Sequence, residues 1–172
     1  MKRQFLIAVC FLFATGVTAG AQTKVSGTLK CDKPEPAYRI EVDGRPGHSM
    51  VLEKFSCTWA KPLEMGGEKS KDASLVLTAE IIPSRSATTG TAVSTMENGD
   101  KVFIAFRDTT PIKDSKSEDS HGTWSYVGGT AKFRGLKGKG TYTTIFNADG
   151  SSTAEVEGDY DLPKAKKSAT GK

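Results

Sequence analysis

A segment near the C-terminus, residues 152–162, alternates strictly between small or apolar residues and acidic ones. One set comprises Ala154, Val156, Gly158, Tyr160 and Leu162, and the other comprises Glu155, Glu157, Asp159 and Asp161. Successive side chains of a β-strand point to opposite faces, so each set occupies one face. The pattern predicts a strand with one packed and one wet face, which is typical of antiparallel sheets.

Similar short segments recur along the chain, and no sustained helical period interrupts them. They read KVSGTLKC, AYRIEVDG, SMVLEKFSCTW, ASLVLTAEII, KVFIAFRD, GTWSYV and GTYTTIFN. Asn98-Gly99 and Ala148-Asp149-Gly150 are turn signals between such segments. Two polar stretches, PLEMGGEKSKD and PIKDSKSEDSHG, are predicted to be loops. Eight or nine short strands with hairpin-scale links predict one all-β domain over residues 22–162, a sandwich or a barrel.

The glycine-rich stretch GGTAKFRGLKGKGTYTTIF, residues 128–146, could be a phosphate cradle or a bend between strands. A P-loop needs Ser or Thr directly after Gly-Lys, but Gly140 follows Lys139 here. A dinucleotide fingerprint needs a third glycine where Thr143 stands, and a helix after it. The residues that follow are β-branched and aromatic instead. We therefore expect these glycines to serve bends and close packing in a sheet.

The same stretch resembles the glycine-rich segment of the allene oxide cyclase and dirigent-protein barrels. Gly128, Gly129, Thr130, Phe133 and Gly138 fit that family's pattern, whereas Ala131 stands where a third glycine is usual. The resemblance covers about residues 101–162. It implies a single eight-stranded antiparallel β-barrel with an apolar cavity, no cofactor and often a trimeric assembly. The family's catalytic residues have no recognisable counterparts in this chain.

The first 21 residues have the three parts of a signal peptide. Lys2 and Arg3 precede an apolar run from about residue 5 to 17, and Ala19-Gly20-Ala21 forms an A-x-A cleavage site. The run is shorter than the roughly 20 residues of a membrane span. We expect cleavage before Gln22, a periplasmic or secreted protein, and no membrane association afterwards. An uncleaved anchor is the alternative.

The charge of the mature chain is close to balanced. Removing the two basic residues of the leader from 24 leaves 22 basic against 20 acidic residues. Four of those lysines lie in the last ten residues, 163–172, which we expect to be a disordered basic tail. Without the tail the domain has 18 basic against 20 acidic residues, so we expect no nucleic-acid partner.

Two cysteines, Cys31 and Cys57, remain after cleavage. In an oxidising compartment an even pair predicts a disulfide. Zinc binding by these two with His48 and His121 is the alternative, but no ligand-like spacing supports it. We expect no metal. His48 and His121 are more typical of exposed loop positions than of a catalyst.

Glu53 is the candidate catalytic residue. Period two places it on one face with Val51, Phe55, Cys57 and Trp59, so its carboxyl is predicted to point into the barrel. There it would have a raised pKa and could act as an acid or a base. Alternatively it is paired, and Arg107, on one face with Phe103, is the candidate partner.

Seven residues form the predicted ligand-binding set: Glu53, Trp59, Phe103, Arg107, Trp124, Tyr126 and Tyr142. Aromatic side chains of this kind line apolar pockets, but they also fill ordinary cores. Three functions fit these observations. They are binding of a small apolar or aromatic ligand, a cofactor-free isomerase or cyclase of the allene oxide cyclase type using Glu53, and a structural envelope protein with a filled barrel.

Overall fold

A computed structural model describes residues 22–163 of the chain. The predicted signal peptide and residues 164–172 of the predicted tail lie outside the described residues. Eleven strands make up the fold: β1 Thr23–Cys31, β2 Ala37–Glu41, β3 Ser49–Lys61, β4 Glu64–Met65, β5 Glu68–Ile82, β6 Arg85–Met96, β7 Lys101–Lys113, β8 Lys116–Ser117, β9 Ser120–Gly129, β10 Lys137–Phe146 and β11 Ser152–Asp161. A 3-10 turn, Ala131–Phe133, precedes β10.

Eight of these strands close into an antiparallel barrel. The ring runs β1, β3, β5, β6, β7, β9, β10, β11 and back to β1. The short strands β2, β4 and β8 lie off this ring, beside β3, β5 and β7 respectively. The eight-stranded barrel implied by the glycine-rich segment is therefore confirmed. Within residues 22–163, no helix is long and apolar enough to cross a bilayer.

The alternation in β11 matches its place in the wall. Glu155 and Glu157 are exposed, whereas Tyr160 is buried on the opposite face. Most ring strands behave alike, so apolar side chains collect inside. At one end of the barrel this interior is packed shut by side chains that are at most 2 % exposed: Leu63, Met65, Met96, Val102, Phe133 and Leu136. β4 and the 3-10 turn supply part of this closed end, within stretches that the sequence predicts as loop or glycine-rich link.

Glycines let large aromatic rings lie flat across neighbouring strands. Gly140 on β10 lies between Trp124 on β9 and Gly158 on β11 in the strand register. A Cβ at position 140 would come within 2.7 Å of both Trp124 Cε2 and Gly158 Cα. The glycines of residues 128–146 therefore serve packing and turns in the sheet, as expected, and the residues after Gly140 continue β10 rather than begin a helix.

A disulfide between Cys31 and Cys57 confirms the predicted pairing. The two residues face each other where β1 meets β3. This seam is short, because β1 pairs with β3 over Thr28–Cys31 only but with β11 along its whole length. The covalent bond therefore fastens the least extensively paired seam that β1 makes.

Candidate functional site

The barrel encloses a cavity of about 570 Å³, lined by inward side chains from all eight ring strands. Most of its wall is apolar: representative residues are Leu29, Val51, Phe55, Leu75, Leu77, Ile104, Phe106 and Val156. The volume falls within the range of small-molecule sites, about 300–1,000 Å³. A filled barrel would leave no such space.

The cavity reaches the surface at the end opposite the packed one. Its lining there includes the exposed residues Arg39, Gly47, Pro83, Ser117 and Phe146. These residues lie on β2, in the link between β2 and β3, at the β5–β6 turn, on β8 and at the end of β10. We call this opening the mouth.

An aspartate and a tyrosine form the best-defined polar contact on the wall. Tyr142 Oη donates to Asp108 Oδ2 at 2.6 Å, although β9 separates the two residues' strands. Gly122 lies between them in the register and makes this possible. A Cβ there would lie 2.6 Å from Tyr142 Oη and closer still to its ring. Burial above all, then the charge and hydrogen bond of Asp108, raise the pKa of Tyr142, which therefore stays a donor.

Ser120 adds a second polar group to the same wall. It is 1 % exposed, it lines the cavity, and its Oγ has no hydrogen-bond partner among the described residues. A buried hydroxyl without a partner costs roughly 1–3 kcal/mol. Thr144, paired with Ser120 across β9 and β10, also lines the cavity. Together with Asp108 and Tyr142 these residues form what we call the polar wall.

Glu53 lines the cavity and is half-buried, on one face with Val51, Phe55 and Trp59 as its alternation predicts. Desolvation raises the pKa of its carboxyl, and the positive charge of Arg39 on β2 opposes that shift. Arg39 is itself engaged, since its Nε donates to Glu41 Oε1 at 2.7 Å. The cation near Glu53 is therefore Arg39.

The predicted placement of Phe103 and Arg107 is wrong. The inward residues of β7 include Ile104, Phe106 and Asp108, so Phe103 and Arg107 lie on the outer face. Arg107 is exposed and its Nε donates to Thr123 Oγ1 at 3.4 Å. β7 carries apolar residues on both faces, so its sequence does not reveal which face points inward. Arg107 is consequently not the partner of Glu53.

The other predicted aromatic residues, Trp59, Trp124 and Tyr126, also line the cavity, and their polar atoms are hydrogen-bonded to protein groups. Trp59 Nε1 donates to Ser94 Oγ at 3.0 Å, and Tyr126 Oη to Met65 Sδ at 3.0 Å. Trp124 Nε1 lies 3.2 Å from both Thr141 O and Glu157 O. These three aromatics therefore offer a ligand apolar surface. Their role in binding stays a prediction.

Sequence reasoning missed Asp108, Ser120 and Arg39. Asp108 follows Ile104 and Phe106 at period two, and that spacing could have drawn attention to it. Ser120 begins a strand inside a stretch predicted to be loop. Arg39 lies between the apolar residues Tyr38 and Ile40, and only the position of β2 beside the mouth brings it to the cavity.

Cys31 and Cys57 are bonded to each other and so offer no thiolate to zinc. His48 Nε2 lies 2.8 Å from Glu80 Oε1, and His121 Nδ1 lies 3.2 Å from Thr143 Oγ1. Across residues 22–163, no cluster of three or more His, Cys, Asp or Glu side chains is arranged to hold a metal ion.

Neither a protein-family profile nor a curated protein matches this sequence. Solved structures do match. The pterocarpan synthase dirigent protein PsPTS1 is 18% identical, with a TM-score of 0.52 over 84% of this chain and 97% of its own. A protein of unknown function of the DUF3224 family from Shewanella oneidensis is 17% identical, with a TM-score of 0.47 over 84% of this chain and 99% of its own. At these identities the likeness concerns the fold alone. The described part of the chain has a dirigent-like barrel fold.

Proposed function

We propose that the barrel binds a small, largely apolar or aromatic molecule that carries a hydrogen-bond donor. The observation that supports this most is the polar wall, set in an otherwise apolar cavity. Sites of this kind bind the body of a ligand by burial and orient it with a few polar groups. The cavity itself argues against the structural protein with a filled barrel.

The chemistry of the polar wall defines the ligand's polar group. Tyr142 already donates to Asp108, and a carboxylate accepts more than one hydrogen bond. The Ser120 hydroxyl can donate or accept. An alcohol, a phenol or an amine would satisfy both residues at once. An anionic group would instead meet the negative charge of Asp108, and its favourable position would be the mouth, beside Arg39.

Paired probes test this assignment. We expect 2-naphthol to bind about tenfold or more tighter than naphthalene, because a hydrogen bond to a charged group contributes roughly 1.5–3 kcal/mol. Asp108→Asn should reduce that preference several-fold, because the hydrogen bond to a charged group is lost and a neutral one contributes only about 0.5–1.5 kcal/mol. Asp119→Asn, at an exposed position before β9, is the matched control and should keep the preference.

Affinities can be measured by titration calorimetry, with melting temperatures to verify that each variant folds. Equal affinity for the two probes in the unaltered protein would contradict the role of the polar wall. So would a loss of the preference in Asp119→Asn.

A cofactor-free isomerase or cyclase is the second candidate, and the environment of Glu53 favours it. A partly desolvated carboxyl with a raised pKa, facing an apolar cavity, could carry a proton to and from a bound substrate. Because burial favours its neutral form, Glu53 stabilises the folded protein fully only below the ordinary pKa of 4.5. That contribution is lost as the pH rises through the raised folded-state pKa.

We therefore expect Glu53→Gln to match the unaltered protein in unfolding free energy at low pH and to surpass it as the pH rises from about 4.5 through the raised folded-state pKa, above which the difference levels off. Urea unfolding across a pH series measures the difference. Glu118→Gln, at an exposed position, should show no comparable trend. A difference that shrinks with rising pH would mean that Glu53 is stabilised as an anion, which would contradict the raised pKa on which this second candidate rests.

We assign the protein to the periplasm or the extracellular space. The leader-like residues 1–21 and the Cys31–Cys57 bond support this assignment, because disulfides persist in oxidising compartments. Expressed with its leader in a bacterial host, the protein should have the intact mass of residues 22–172 less two hydrogens. A mass that retains residues 1–21 in the exported fraction would contradict cleavage before Gln22.

A further inference from the structure

The strand β2 has one paired edge and one open edge. It pairs with β3, from Ala37 opposite Glu53 to Glu41 opposite Ser49, and with no other strand of residues 22–163. All five of its residues are exposed. An open edge with exposed apolar residues is a template for pairing with another chain.

The direction of the backbone groups follows from neighbouring hydrogen bonds. Val42 N–H donates to His48 O, and Pro36 O accepts from Lys54 N–H, so even-numbered residues direct their backbone groups towards β3. Antiparallel strands alternate in this respect. Ala37, Arg39 and Glu41 therefore present their N–H and C=O groups to the open edge.

The outer face of this hairpin is apolar. Tyr38 is 60 % exposed and Ile40 is 71 % exposed, and they lie opposite Leu52 and Met50, which are 45 % and 44 % exposed. We call these four residues the outer patch. They are contiguous across β2 and β3, and the patch extends to the open edge. Additional strands there would bury part of it.

We propose that β2 pairs antiparallel with β2 of a second copy of this chain, in the register that places Ile40 opposite the partner's Ile40. Arg39 then lies opposite the partner's Glu41, and Glu41 opposite the partner's Arg39. These are the residues whose backbone groups point to the open edge, so they would also make the hydrogen-bonded pairs. A register centred on residue 39 would place Arg39 opposite the partner's Arg39. One centred on residue 41 would place Glu41 opposite the partner's Glu41.

The two faces of β2 contribute differently to this dimer. The outer patch of one copy continues into that of the other, and burial of Ile40 and Tyr38 supplies the favourable free energy. Exposed ion pairs contribute little stability but select the register. Arg39 lines the mouth of the cavity, so the dimer brings the partner's Glu41 to the mouth.

Sedimentation equilibrium of the exported, oxidised protein is the first test. We expect a dimer, and Ile40→Lys should make it a monomer. Val127→Lys is the matched control, because Val127 is 63 % exposed on the outer face of β9 and away from β2. A monomer at every concentration, or the trimer that the family resemblance implies, would overturn the proposal.

Charge reversal tests the register. Arg39→Glu alone and Glu41→Arg alone should each weaken the dimer, since each places like charges opposite one another. An equimolar mixture of the two variants should restore it as a heterodimer, and so should both substitutions in one chain. If the single variants dimerise as well as the unaltered protein, the proposed register is wrong.

Cross-linking gives a second, independent readout of the same register. Facing residues of a non-hydrogen-bonded antiparallel pair have Cα atoms about 4.5 Å apart, within reach of a disulfide. Ile40→Cys should therefore form a covalent dimer on oxidation. Tyr38→Cys should not, because the two copies of position 38 would be four residues, about 13 Å, apart along the strands. A covalent dimer from Tyr38→Cys but not from Ile40→Cys would contradict the assignment.

Discussion

Replacing Gly140 with alanine is expected to lower the free energy of unfolding by about 3 kcal/mol, at the upper end of the usual range for overpacking. The backbone at this position does not need glycine for its φ angle, so the effect is steric. The added methyl would meet Trp124 Cε2 and Gly158 Cα at 2.7 Å, and Glu157 O more closely still. Two of these three neighbours are backbone atoms, which cannot move aside without disturbing β11.

Gly99→Ala is the matched control for this substitution. Its Cβ would meet nothing within 4 Å, but its φ of 86° disfavours an L side chain, so we expect a loss of about 1–2 kcal/mol. Urea unfolding of both variants at one pH measures the difference. If Gly140→Ala is no more destabilising than Gly99→Ala, the close approach of Trp124 to β10 and β11 is not as tight as described.

Removing the disulfide is expected to lower the free energy of unfolding by a similar amount, about 3 kcal/mol. The 26-residue separation sets the loop entropy that the bond removes from the unfolded chain. Cys31→Ala with Cys57→Ala is the appropriate variant, because both side chains are buried and alanine leaves no unpaired polar atom. Because β1 pairs with β3 over only a few residues, loss of the bond should also weaken this seam and lower the free energy of unfolding further.

Reduction provides the control for this prediction. A reductant should destabilise the unaltered protein by about the same amount and leave the double alanine variant unaffected. The slope of unfolding free energy against urea concentration should also rise in the variant, because the unfolded chain without the cross-link exposes more surface. Equal stability of the oxidised and reduced proteins would contradict a structural role for the bond.

Much of the fold could be predicted because most ring strands have one wet face. In β11 the acidic residues mark that face, and in β3 Val51, Cys57 and Trp59 mark the buried one. Both assignments follow from period two alone. The strands β4 and β8 could not be predicted, because two residues give no periodicity and their segments are polar.

The candidate site could be predicted only in part, and the reason is physical. Residue type drew attention to Trp59, Trp124, Tyr126 and Tyr142, and all four line the cavity. The contact between Tyr142 and Asp108 spans β9 and depends on Gly122, so no local pattern contains it. Both faces of β7 are apolar, so its sequence does not show whether Asp108 or Arg107 points inward. The closure of the ring determines this.

NMR resonances of labelled methyl groups show where a ligand binds, so they test the binding proposal directly. In a protein labelled with ¹³C at its Ile, Leu and Val methyls, titration with 2-naphthol should shift the resonances of residues that line the cavity, chiefly Leu29, Val51, Leu75, Leu77, Ile104 and Val156. The exposed outer residues Ile40, Val76, Val127 and Ile145 should keep theirs. Shifts confined to the outer methyls, or interior methyls that stay unchanged at saturating 2-naphthol, would contradict ligand binding inside the barrel.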